Sequence, residues 1–174
     1  MPETQGEQFE QLVMPHLNDA YTLARYLLHD EHDAQDVVQD AVLRAIRHID
    51  GFRQGDARAW LLTIVRNCCY TWHKAHKRDR SNVSLSDVSA LNVADTNSAD
   101  DATVRASDSE LIRAAVDKLP AELREVLVLR ELNELSYREI SEVVGAPMGT
   151  VMSRLSRARE RLASVLDEGT RKVG

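Results

Sequence analysis

The chain is poor in the features that mark enzymes, secreted domains and membrane proteins. It has two cysteines, Cys68 and Cys69, and they are neighbours. Adjacent cysteines do not reach ordinary disulfide geometry with each other, and two thiols alone do not complete a structural zinc site. Burial as small apolar side chains is their expected fate. Seven glycines and four prolines in 174 residues leave few obligatory turns, and Val, Leu and Ala dominate, which favours helices over sheets. No apolar run approaches the ~18 residues of a membrane span. The N-terminus, MPETQGEQFE, is acidic and polar, unlike a signal peptide, so a cytoplasmic location is expected. A Gly-rich phosphate loop, a nucleophile motif and metal-ligand spacing are all missing, so no catalytic residue, metal or cofactor is expected. His73 and His76 sit one turn apart but have no further ligand placed with them, and read as helix-face residues.

The formal net charge of −6 would argue against a nucleic-acid partner if it were evenly spread. It is not. Basic residues cluster at Arg66, Lys74, Lys77, Arg78 and Arg80, and again from Arg154 to Arg161; acidic ones gather at Asp30 to Asp40 and through residues 79–110. A phosphate feels charge within a Debye length of ~8–10 Å, so local patches matter more than the total. Such a chain is expected to bind DNA weakly alone and to need a partner that holds it there.

Apolar periodicity predicts an all-α protein of two small helical domains. Residues 8–78 read as three or more helices. Phe9, Leu12, Val13, Leu17, Ala20, Leu23, Ala24, Leu27 and Leu28 form the first stripe, with Pro15 marking a kink or a helix start. A second helix, Asp33 to Ile49, turns Val37, Val38, Ala41, Val42, Ala45 and Ile49 inward. A loop with two glycines, Asp50 to Asp56, precedes a third helix, Arg58 to Lys77, that buries Trp60, Leu61, Ile64, Val65 and Cys68. Residues 79–107 are rich in Ser, Asp, Asn and Thr and show no period, which predicts a flexible acidic linker; a loosely packed helix around Val88 to Val93 is the alternative. Residues 108–168 form the second domain, with helices near 108–118, 120–132, 136–144 and 148–167, broken first at Leu119-Pro120.

Within that second domain, LSYREISEVVGAPMGTVMSRLSRARERL (135–162) reads as a helix-turn-helix. Ser136 and Glu139 have capping-box spacing, and Ile140, Val143 and Val144 give the short helix its apolar face. Gly145 stands where the chain turns sharply, and Pro147 suits the opening of the next helix. There Val151, Leu155, Ala158, Leu162 and Val165 form one stripe, opposite Met152, Ser153, Ser156 and Arg157. A helix apolar inside and basic outside, held by a tight turn, is what insertion into a major groove requires; an ordinary helical hairpin with a solvated face is the plain alternative.

Three separated segments then agree. DAQDVVQDAVLRAIR (33–47), FRQGDARAWLLTIVRNCCYTWHKAHKR (52–78) and LPAELREVLVLRELNELSYREISEVVGAPMGTVMSRLSRARERL (119–162) resemble, in order and spacing, the two conserved domains of bacterial extracytoplasmic-function (group IV) sigma factors of the sigma-70 family. The resemblance covers nearly the whole chain. It implies a transcription initiation factor: residues 8–78 as region 2, which binds core RNA polymerase and the −10 element, and residues 108–168 as region 4, which binds the −35 element. Its partners would be core polymerase, met through the clamp helices of its largest subunit and through its flap, promoter DNA, and a membrane or soluble anti-sigma factor.

Carried over by position, Gln35, Asp36, Gln39, Asp40, Arg44 and Arg47 would form the core-polymerase face, where alternating charge fixes orientation. Phe52, Arg53, Arg66, Asn67, Tyr70, Thr71, Lys74, Lys77 and Arg78 would meet the −10 element. Donors, aromatics and cations interleaved on a helix suit phosphates beside unstacked bases, and a loop that holds a flipped base must supply a pocket. Trp60 lies on the apolar stripe and reads as core. For the −35 element, Met152, Ser153, Ser156 and Arg157 would face base edges, with Thr150, Arg154 and Arg159 on phosphate. Here the chain departs from its relatives, many of which carry a basic residue at position 152. Met152 has no donor for guanine, but it suits a thymine methyl. A sigma-like decoy that binds an anti-sigma factor, and a helix-turn-helix regulator, are the alternatives. The first would lack the basic faces; the second leaves residues 33–78 unexplained.

Overall fold

The computed structural model describes residues 1–81 and 103–173, with side chains described for 1–77 and 108–172. All regular structure among them is helical. The first helix, α1 (Gln5–Leu12), starts at a reciprocal capping box: Thr4 Oγ1 accepts from the Glu7 amide, and Glu7 accepts from the Thr4 amide at 2.8 Å. Pro15 sits in a single 3₁₀ turn, Met14–His16, which redirects the chain into α2 (Leu17–Leu28). This helix buries Ala20, Leu23, Ala24, Leu27 and Leu28 and ends at His29, whose φ of +63° is left-handed. Asp30 then caps α3 (Glu31–His48) by accepting from the Asp33 amide at 3.0 Å.

Alanines set how closely α3 packs. Its fully buried positions are Ala34, Val37, Ala41 and Ala45, while Val38 and Val42, expected inside, are half-buried flanks of the same stripe. The stripe leans on α2 and on α4 (Ala57–Ser81), which buries Ala59, Leu61, Leu62, Val65, Cys68 and Cys69. Trp60 and Ile64, also expected in the core, are half-buried at its rim. Burial pushes the Cys69 thiol up to about 12 and raises that of Cys68 as well, so both are protonated at neutral pH.

The C-terminal unit comprises α5 (Thr103–Asp117), α6 (Ala121–Glu131), α7 (Tyr137–Val144) and α8 (Met148–Val173). Helix therefore claims both ends of the stretch read as linker, residues 79–81 and 103–107. The centre of that stretch, including the alternative helix near Val88 to Val93, lies outside the described residues. In α6, Leu123 to Leu129 are all buried. A helix buried on every side, with Arg124 and Glu125 as the charged residues of that stretch, has to be enclosed by neighbours on every side. It packs on α7 and α8 of its own unit and on α2 of the N-terminal unit, while α4 packs on α7. One continuous apolar cluster consequently runs through both units.

Candidate nucleic-acid and polymerase interfaces

Each exposed face is set by what its helix buries. Ser136 caps α7 and accepts from the Glu139 amide at 3.1 Å, and Gly145 closes the helix at φ +66°. The capping box is only half made, because the Glu139 carboxylate turns away to Arg58 of α4 at 2.9 Å. The amides of Gly145 and Ala146 both return to the Ser141 carbonyl, which fixes the turn before α8. In α8, Val151, Leu155 and Ala158 are buried, and Leu162 and Val165 extend the stripe half-buried. Burying that stripe leaves Met152, Ser153, Ser156 and Arg157 together in water, with Met152 48% exposed. Arg159 is held by Glu131 at 2.8 Å and Arg154 lies 3.9 Å from Glu122, so both would have to exchange a carboxylate for a phosphate; Thr150 is half-buried.

On α3, Gln35, Asp36, Gln39, Asp40, Arg44 and Arg47 are all exposed, with Asp40 and Arg44 paired at 3.2 Å one turn apart. Leu43 stands in this polar face, 49% exposed. Sequence reasoning passed over it, although its spacing from Gln39, Asp40 and Arg47 puts it on the polar stripe and off the buried one.

Helix α4 divides its predicted contacts into two groups. Asn67, Thr71, Lys74 and Lys77 are exposed, and Arg78 is described by its backbone alone. Arg66 and Tyr70 are not free. Both bind Glu125 of α6, which is fully buried: Arg66 Nε and a terminal guanidinium nitrogen donate at 2.7 and 3.1 Å, and the Tyr70 hydroxyl at 3.1 Å. The Arg66 guanidinium also lies 4.5 Å over the Tyr70 ring. Burial, then the Glu125 charge, push the Tyr70 hydroxyl up to about 12, so it remains a donor. The His73 ring donates to the Leu27 carbonyl at 2.7 Å, and His76 stacks on Trp72 with centroids 3.8 Å apart.

The loop before α4 carries a cleft of about 340 Å³, bordered by Phe52, Arg53, Gly55, Asp56, Trp60 and Thr63. Phe52 leans on Trp60 with ring centroids 5.1 Å apart, so one wall is aromatic. Gly55, at φ +131°, gives the loop a turn that other residues adopt only with strain. An aromatic wall beside exposed backbone and an arginine is suited to a planar heterocycle. Glu142 of α7 borders the same cleft.

Comparison with known proteins identifies the family. Residues 12–79 match the family model of sigma-70 region 2, and residues 109–162 that of sigma-70 region 4. The chain belongs to the extracytoplasmic-function sigma factors of the sigma-70 family. It is 36% identical over 134 residues to the sigma factor EcfG of Rhodopseudomonas palustris, covering 76% of this chain and 71% of that one. With SigE of Mycolicibacterium smegmatis it shares 31% identity over 158 residues; these span 91% of this sigma factor but 61% of SigE. The sigma factor RpoE of Bartonella quintana, solved in complex with the anti-sigma factor NepR, superposes with a TM-score of 0.72 at 31% identity, over 91% of this chain and 96% of that one. That coverage takes in both helical units. Among the described residues no helix is long and apolar enough to cross a membrane.

Proposed function

We propose that this sigma factor binds core RNA polymerase through the α3 face, reads the −10 element with α4 and the loop before it, and reads the −35 element with α8, so directing initiation at its own promoters. The observation that carries this is one division of surfaces. Two basic, donor-rich helix faces lie on separate helical units, and a third face, charged and centred on an exposed leucine, lies on α3. Arg157, Ser156, Ser153 and Met152 would face base edges, and Thr150, Arg154 and Arg159 phosphates. Asn67, Thr71, Lys74, Lys77 and Arg78 would track the separated strand with Arg66 and Tyr70, and the cleft beside Phe52 and Arg53 would take an unstacked base.

In this reading the chain is a cytoplasmic, non-enzymatic subunit. Its polymerase contacts are the clamp helices of the largest subunit and, through the C-terminal unit, the flap. An anti-sigma factor is a further partner, as for the RpoE relative. The decisive experiment mixes the purified chain with core polymerase and a genomic promoter library and sequences the transcripts. Core-dependent initiation at a shared pair of sequence elements is expected. Transcripts no more selective than those of core polymerase alone would refute the reading.

A further inference from the structure

One edge of the α8 reading face is apolar and carries no hydrogen-bond donor of any reach. We propose that Met152 makes the upstream element methyl-dependent: its side chain packs on the C5 methyl of a pyrimidine in the major groove. Thymine and 5-methylcytosine are then preferred to uracil and cytosine, which differ from them by that methyl alone. The inference rests on the assignment of the α8 face to base edges.

Helical spacing sets Met148 and Met152 one turn apart on this edge, where they are 44% and 48% exposed. The core stripe of the helix, Val151, Leu155 and Ala158, takes neither of them. Around Met152 the exposed positions Gly149, Ser153 and Ser156 are short, and a Cβ at Gly149 would meet nothing within 4 Å. Met152 is therefore the side chain that reaches furthest from this part of the face. No cation stands one turn from it in either direction, since those positions are Met148, Gly149, Leu155 and Ser156. The nearest arginines project from other flanks. Arg154 lies 3.9 Å from Glu122, and Arg157 Nε turns back to the Ser153 carbonyl at 3.5 Å.

Base chemistry decides what such an edge can meet. In the major groove guanine offers N7 and O6, adenine N7 and its amino group, cytosine its amino group, and thymine O4 and the C5 methyl. Among these groups the methyl is the apolar one. A methionine laid against the others would strip water from a donor or acceptor without replacing its hydrogen bond, which costs affinity. Against the methyl it loses nothing, and its flexible thioether chain shapes itself to the contact. A cytosine methylated at C5 presents the same group at the same ring carbon. Methylation of a cytosine at that place would thus strengthen the promoter for this sigma factor.

The test assembles holoenzymes from core polymerase with the wild-type chain, Met152→Ala or Met152→Leu. Each is given a promoter library randomised over the upstream element, and the transcripts are sequenced. A position enriched in thymine is expected for wild type and Met152→Leu, and not for Met152→Ala. Templates then compete in pairs that differ at that place: thymine against deoxyuridine, and 5-methylcytosine against cytosine. With wild type and Met152→Leu the methylated member should initiate about fourfold more often, the equivalent of the ~0.8 kcal/mol of one buried methyl-sized group. Met152→Ala should bring both ratios close to one. A selected element without such a thymine, equal initiation within either pair, or a ratio that survives Met152→Ala overturns the methyl contact and leaves the α8 assignment standing. A wild-type holoenzyme that selects no upstream sequence at all overturns the α8 assignment, and the methyl contact with it.

Discussion

Replacing Leu43 with alanine should weaken binding to core polymerase about fivefold without affecting the fold. Leu43 is 49% exposed on a face whose neighbours Gln39, Asp40 and Arg47 are all in water. Complete burial of a leucine contributes ~1.5–3 kcal/mol, so covering its exposed half at an interface contributes about 1 kcal/mol, or roughly a factor of five in Kd. Alanine retains only the Cβ, so most of that is lost. On an exposed helix position alanine is also the better helix former, which keeps the thermal midpoint unchanged or slightly raised. Titrating labelled chain with core polymerase measures the Kd directly. The loss should persist at raised ionic strength, because apolar contact is not screened as the neighbouring Asp40–Arg44 charges are. A Kd within twofold of wild type would refute the assignment of this face. A midpoint lowered by several degrees would mean that Leu43 supports the bundle and not an interface.

Three further outcomes follow from other parts of the molecule. Arg157→Ala should lower initiation from promoters selected by the wild-type chain about tenfold, within the ~1–3 kcal/mol of one base-edge contact, and leave core affinity unchanged; an equal loss on promoters with a scrambled upstream element would contradict base reading. Gly145→Ala meets no atom within 4 Å, so its cost is the backbone at φ +66° alone, about 1–2 kcal/mol for a side chain in the left-handed region; a calorimetric midpoint lowered by a few degrees is expected, and an unchanged one would refute the strain. His29 should make the packed state acid-sensitive. Burial first, then Arg124, hold its ring below the ordinary value of 6.5, while Asp117 opposes them and the nearby His73 adds slightly to the lowering. Its Nδ1–H donates to Asp117 at 3.0 Å and its Nε2 accepts from Arg124, an arrangement only the neutral ring makes. With the folded value depressed, this contribution is complete above pH ~6.5 and is lost as pH falls through that value toward the lowered one. Scattering at pH 7.5 and 5.5 should show expansion on the acid side for wild type, and none for His29→Asn, which tolerates the left-handed backbone; an identical response in both would clear His29 of the role.

Local rules carried much of this fold. The stripe of Val151, Leu155 and Ala158, the left-handed Gly145 and the 3₁₀ turn at Pro15 all follow from spacing and backbone preference, and the burial of Cys68 and Cys69 from their setting in an apolar helix. The partners of Arg66 and Tyr70 do not. Glu125 lies 59 and 55 residues away, and no periodicity links a basic face on one helix to an acid on another. A trace was nonetheless present, since Arg124 and Glu125 interrupt a helix that is otherwise apolar all round. Buried charges need partners, so two of them inside such a helix announce an interface. Glu139 misled for a related reason: capping-box spacing fits its sequence position, but the Arg58 guanidinium offers its carboxylate a charged donor, and a charge-assisted hydrogen bond outweighs one to the Ser136 amide.

Helix at both ends of the connection limits how far the units can separate. Twenty-nine residues, 79–107, would span roughly 100 Å at ~3.3–3.6 Å each. With α4 ending at Ser81 and α5 starting at Thr103, only residues 82–102 remain to extend, and their full reach is about 70–75 Å. Two promoter elements two helical turns apart lie ~70 Å from each other. Bridging them would therefore take nearly the whole contour, or unwinding of the last turn of α4 or the first of α5.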